Sequence, residues 1–173
     1  MAIAIGGYRY RDQFTVDKYS TAETSVVVWT SIANIRAADN TVASATIAAV
    51  GGDATAVLQL DFSSLPANAV IESVTTTLRA RANRDCSLQT GTPGCSATLF
   101  KSGGVTAIDQ VGFSSITGNT PNVLEDWTNG PIGTPVTRAD LLTATVELTA
   151  TADDSLSMTY GADCVTVTVV YNT

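Results

Sequence analysis

Between Leu142 and Ala150 the chain reads LTATVELTA, and every second residue is apolar. Leu142, Ala144, Val146, Leu148 and Ala150 fall on one side of an extended chain. Thr143, Thr145, Glu147 and Thr149 fall on the other. The same alternation runs through AVLQLDF at 56–62 and VTVTVVY at 165–171. Successive side chains of a β-strand point to opposite faces, so this period describes strands buried on one face only. The β-branched Val and Thr suit such a pleated surface. Further runs lie near 23–30, 42–49, 73–82, 96–101, 105–111 and 155–160, with Gly and Pro between them. Short strands at this spacing predict an all-β chain, a sandwich or a barrel. Helical signal is nearly absent. PVTRADLL predicts a single turn, with Thr137 as the cap and Asp140 three residues later as in a capping box.

The stretch LQLDFSSLPANAVIESVTTTLRARA, residues 58–82, favours the sandwich. Two strand patterns flank a break. Ser63 and Ser64 end the first, and Pro66 has no N–H to give a ladder, so pairing stops there. A tight hairpin would use two residues such as Asn-Gly. The wider break, with apolar anchors at Leu65, Val70 and Ile71, suits a chain crossing from one sheet to the other. Leu65 and Ile71 then plug the open end of the core. Residues 112–136 are rich in Gly and Pro and predict a long surface loop over one end.

A chain of 173 residues suits one domain. Its net charge of −7 argues against nucleic acid, which needs clustered Lys and Arg. The longest purely apolar runs are a few residues, far from the roughly 20 that span a bilayer, so no membrane partner is expected. The start lacks a basic segment followed by an apolar one, so we expect synthesis in a cytoplasm. Residues 1–18 carry a net charge of +1 and residues 19–173 one of −8. This divides the chain into an N-terminal arm, 1–20, and a β-sandwich domain, 21–173. Tyr8, Arg9, Tyr10 and Arg11 give the arm the aromatic-plus-Arg composition of interface anchors, and they are the candidate partner-binding residues. Cys86 and Cys95 flank the turn-rich SLQTGTPG and are a candidate disulfide across a hairpin, whereas Cys164 reads as a small buried hydrophobe.

Other features extend the pattern. Trp29 precedes IANIRAADNTVASATI. The 58–82 stretch pairs a strand ending in Phe62 with a Leu-Pro-Ala-Asn-Ala-Val-Ile turn and a second long strand. Trp127, the TRADLL turn and a closing ADCVTVTVVY follow. From about residue 26 onward, these features resemble a family of small jelly-roll-like β-sandwich proteins, mainly structural components of tailed-phage virions. Related domains occur in bacterial surface proteins. Leu65 stands for the family's Ile, Asn68 for its Gly and Val70 for its Thr. The resemblance implies a single antiparallel sandwich of about eight strands with almost no helix. It also implies a capsid decoration or cement protein on the outer surface of a phage head. Its partners would be the major capsid protein and further copies of itself, a trimer being favoured. These motifs are core and turn patterns, which specify fold better than function.

Catalytic signatures are missing. The chain has no His, so Ser-His-Asp or Cys-His catalysis and His-ligated metal sites are out. Three scattered cysteines cannot build a four-thiolate zinc site, and no phosphate-cradling or dinucleotide motif occurs. Neither an enzyme nor a bound cofactor or metal is expected. Glu125-Asp126 and Asp153-Asp154 read as solvated turn residues. Trp127, next to acidic residues and TNGP, is a candidate exposed aromatic. It supports the alternative reading, a receptor- or glycan-binding module of a phage tail or head fibre.

Overall fold

The computed structural model describes residues 14–48, 52–129, 135–152 and 156–173. Among these, ten strands form two antiparallel five-stranded sheets. The first sheet contains β1 (Phe14–Lys18), β10 (Met158–Asn172), β5 (Val70–Ala82) and β8 (Glu125–Thr128) in that order, with β3 (Ala43–Ile47) also on β10. The second runs β2 (Ala22–Val27), β4 (Asp53–Gln59), β9 (Thr145–Thr151), β6 (Gly94–Phe100), β7 (Ala107–Ser114). The chain is thus all-β, a jelly-roll-like sandwich with almost no helix.

The alternation does what its period requires. In β4, Ala54, Ala56 and Leu58 are buried, and in β9, Val146, Leu148 and Ala150 are. From the other sheet, Val74, Leu78, Val165, Val167 and Val169 meet them across the core. Trp29 is buried, as its place at the end of an apolar run suggests.

The break at 63–69 carries the chain from β4 in one sheet to β5 in the other, as expected. Two turns build it: Leu65 N–H donates to the Phe62 carbonyl, and Ala69 N–H to that of Pro66. Phe62 and Leu65 are buried at this end, and Ile71 packs on the core beside them. The predicted helical turn, α1 (Arg138–Leu141), buries Leu141. Thr137 and Asp140 cap it reciprocally, and the Arg138 guanidinium donates to the Leu65 carbonyl at 2.9 Å, tying α1 to the crossing. Leu65→Ala is expected to cost about 2–3 kcal/mol, because a fully packed plug leaves a cavity when truncated. Urea unfolding measures it; a midpoint unchanged from the parent would show that the crossing is not packed as described.

Three expectations need correction. Residues 14–18 do not belong to an arm: β1 pairs with β10 from Phe14↔Tyr171 to Lys18↔Val167, and the Phe14 and Tyr171 rings stack at 5.6 Å. Residues 155–160 and 165–171 are not two strands: Met158–Asn172 is one strand with a register shift between Ala162 and Cys164. The segment 112–136 is not all loop, since it holds the end of β7 and the whole of β8.

Candidate binding face

The outward side of the second sheet is a lattice of small polar groups. Register aligns Thr55, Thr149, Ser96 and Gly112 in one row across β4, β9, β6 and β7. The next row is Val57, Glu147, Thr98 and Gln110, and the one after it holds Gln59, Thr145 and Phe100. No Lys or Arg occupies an outward position of these four strands, and Glu147 is the charge at the centre. The Thr149 hydroxyl donates to Glu147 Oε1 at 3.4 Å. The hydroxyls of Ser96, Thr98 and Thr145 make no hydrogen bond among the described residues, so each still offers a donor and acceptor.

Two hollows of about 340 Å³ each mark this face. The first lies where glycines face the β6–β7 seam and is rimmed by Ser96, Gln110, Asn129, Thr149 and Thr151. A Cβ at Gly112 would lie 2.1 Å from the Cys95 carbonyl oxygen, and one at Gly94 would lie 2.7 Å from that of Phe113. Glycine is therefore a steric requirement here, because a Cβ at either position would strike the backbone of the neighbouring strand. Asn129 borders it, donating to Asp109 Oδ1 at 3.1 Å and to the Gln110 carbonyl. The second hollow brings Phe100 and Val57 beside Thr143, Thr145 and Glu147. Both lie along β6 and β9, and β9 from Thr145 to Thr151 spans roughly 20 Å of extended chain.

The residues singled out from sequence fall elsewhere. Tyr8, Arg9, Tyr10 and Arg11 lie outside the described residues, as do Asp153 and Asp154. Trp127 is not a free platform: it is half-buried, its ring lies 5.3 Å from Phe113, and its indole nitrogen is enclosed. Glu125 and Asp126 are strand residues of β8 rather than a turn. Glu125 accepts from the Thr120 amide and hydroxyl, and Asp126 lies 3.7 Å from Arg79. Among the described residues no group of three His, Cys, Asp or Glu is placed to hold a metal ion.

The stretch between Cys86 and Cys95 is not a hairpin, because it joins β5 of one sheet to β6 of the other. Both cysteines are buried free thiols. Burial pushes the Cys86 thiol up to about 11 and the Cys95 thiol higher still. Tyr160 lies close enough to interact with both, and its hydroxyl donates to the Thr151 carbonyl. Burial likewise raises Cys164 to about 11, in keeping with its reading as a small hydrophobe.

A buried carboxylate escaped the sequence reading. Asp163 sits at the bulge of β10 and is 0% exposed. Arg79 Nε lies 3.2 Å from it, but neither carboxylate oxygen makes a hydrogen bond of good geometry, and the nearby backbone amides of Asn40 and Asp39 act on it through their dipoles. Arg79 in turn donates to Asn40 Oδ1 at 2.9 Å. Burial raises the Asp163 carboxyl above its ordinary value against the pull of these partners. The sequence signal was the loss of alternation at Asp163-Cys164.

No family model matches the chain, and no curated protein does. Among solved structures, a xylan-binding module, CBM15, is similar at 14% identity and a TM-score of 0.42, over 92% of this chain and 96% of that one. The case for function lies in the chemistry of the face itself, not in a likeness of this size.

Proposed function

We propose that this sandwich is a non-catalytic glycan-binding module that holds an uncharged polysaccharide along β6 and β9. The observation that carries this is the outward lattice of Thr, Ser and Gln side chains with two hollows and the ring of Phe100. A sugar chain presents hydroxyls that both donate and accept, which is what Ser96, Thr98, Thr145 and Thr149 present in return. The C–H faces of its rings suit an aromatic side chain, which Phe100 supplies at one end. Many modest contacts repeated along a strand pair add up, whereas one deep pocket would be needed for a small ligand. With no cationic side chain on the four strands, the face has nothing to hold an anionic glycan.

Affinity electrophoresis through gels containing soluble β-xylan, β-glucan or mannan tests this. We expect at least one of them to retard the protein, Phe100→Ala to weaken that retention about tenfold, and no reducing ends to accumulate. If none of the polysaccharides slows migration, or the Phe100 variant is slowed equally, the face is not a glycan site. Capsid attachment as a trimer is the other reading of the chain. Its contacts fall on Tyr8–Arg11, and nothing among the described residues favours it.

A further inference from the structure

The opposite sheet carries a recess with different chemistry. Register places Arg81, Gly161 and Ser44 side by side across β5, β10 and β3. Gly161 contributes no side chain, so a hollow of about 130 Å³ opens between its neighbours, bordered also by Asn83 and Asn122. A Cβ at Gly161 would lie 3.2 Å from Arg81 Nε, so the guanidinium rests over the glycine.

The arginines of the sheet region are not alike. Arg36 is paired with Glu23, Arg79 with Asp163 and Asp126, and Arg138 with the Leu65 carbonyl. Arg81 has no such acceptor among the described residues. Around it, Asn83 uses its Oδ1 to accept from the Thr159 amide, which leaves its NH2 group to donate. The Asn122 side chain and the Ser44 hydroxyl are also without an acceptor among the described residues. No Asp or Glu lines the hollow. A recess with several donors, a fixed positive charge and no carboxylate lacks only an acceptor.

We propose that this recess binds a small oxyanion, a carboxylate, sulfate or phosphate group, with Arg81 as the bidentate anchor and the Asn83 amide as a second donor. Arginine's planar fork matches two oxygens of such a group, and charge-assisted bonds of this kind are the strong ones. The volume admits one such group and not a sugar ring. The inference is independent of the glycan reading, since Arg81 lies on the other sheet from Phe100 and Thr149.

The test is titration of the full chain with sodium sulfate, sodium phosphate and sodium glucuronate, followed by two-dimensional amide NMR at constant ionic strength. We expect saturable shifts of the Asn83 and Asn122 side-chain amides with at least one of the three. In Arg81→Gln the half-saturation concentration should rise at least tenfold, and Arg81→Lys should fall between. Arg84→Gln, on an exposed arginine outside the recess, should leave it unchanged. Tighter binding of glucuronate would identify a sugar carboxylate as the source, and tighter binding of sulfate or phosphate an inorganic or ester group. Absence of saturable shifts with all three, or equal shifts in Arg81→Gln, would overturn the site. Neither result touches neutral-polysaccharide retention, so the two readings fail separately.

Discussion

Gly112→Ala is expected to lower stability by about 4 kcal/mol and to loosen the β6–β7 edge. Two effects combine. Gly112 has φ +152°, a region that L side chains rarely adopt, and such strain costs up to about 3 kcal/mol. The new methyl would also lie 2.1 Å from the Cys95 carbonyl oxygen and 2.7 Å from Ser96 Cα. Both are backbone atoms, so no side-chain rotation relieves the clash, and the ladder must open. Gly103→Ala is the control. It too has a positive φ, +95°, but nothing lies within 4 Å of the added carbon, so only strain of about 1–2 kcal/mol is expected. Denaturant unfolding of the two variants separates sterics from strain, and equal losses would refute the steric account. The same substitution should abolish polysaccharide retention, because it distorts the first hollow.

Arg79→Met should cost about 3–5 kcal/mol at neutral pH, the range for stripping a partner from a buried charge. Asp163 is fully buried, and Arg79 is the cation 3.2 Å away. The folded-state pKa of Asp163 already lies above its ordinary value through burial. For a carboxyl raised in this way, the folded state is favoured by protonation. That contribution is complete below the unfolded pKa and is lost as pH rises through the folded one. Without Arg79 the folded pKa rises further, so the deficit should be small in acid and grow towards neutrality. Adding Asp163→Asn to Arg79→Met removes the stranded charge and should restore much of the loss. Thermal unfolding from about pH 4 to about pH 8 reads this directly. A deficit that does not change with pH, or one that Asp163→Asn deepens, would mean the two groups are not coupled.

Much of the fold was legible because alternation is a local signal. AVLQLDF, LTATVELTA and VTVTVVY each state which residues face inward without reference to any other part of the chain, and the structure buries those residues except Leu142, which caps α1, and Tyr171, which is half-buried against the core. The capping box of TRAD is equally local, and it forms. The stop expected at Ser63 to Pro66 comes earlier, since β4 ends at Gln59 and Pro66 lies within the crossing. Where the sequence failed, a partner strand supplied the missing information. FTVDK and EDWT are too short to declare themselves. They are strands because β10 and β5 offer edges beside them. The bulge at Asp163 likewise hid one long strand as two.

The binding face follows the same division. That Thr149, Ser96 and Phe100 would point away from the core could be read from the period of two. That Ser96 would stand beside Thr149, and Phe100 beside Thr145, could not, because those pairs are distant in sequence and meet only through strand order and register. Arg81, Gly161 and Ser44 share a recess for the same reason. Sequence alone determined which side of the longer alternating runs is apolar, where α1 is capped and that no histidine chemistry is available. The tertiary structure decided which outward side chains become neighbours, because register is set by pairing across the whole chain and no local pattern encodes it.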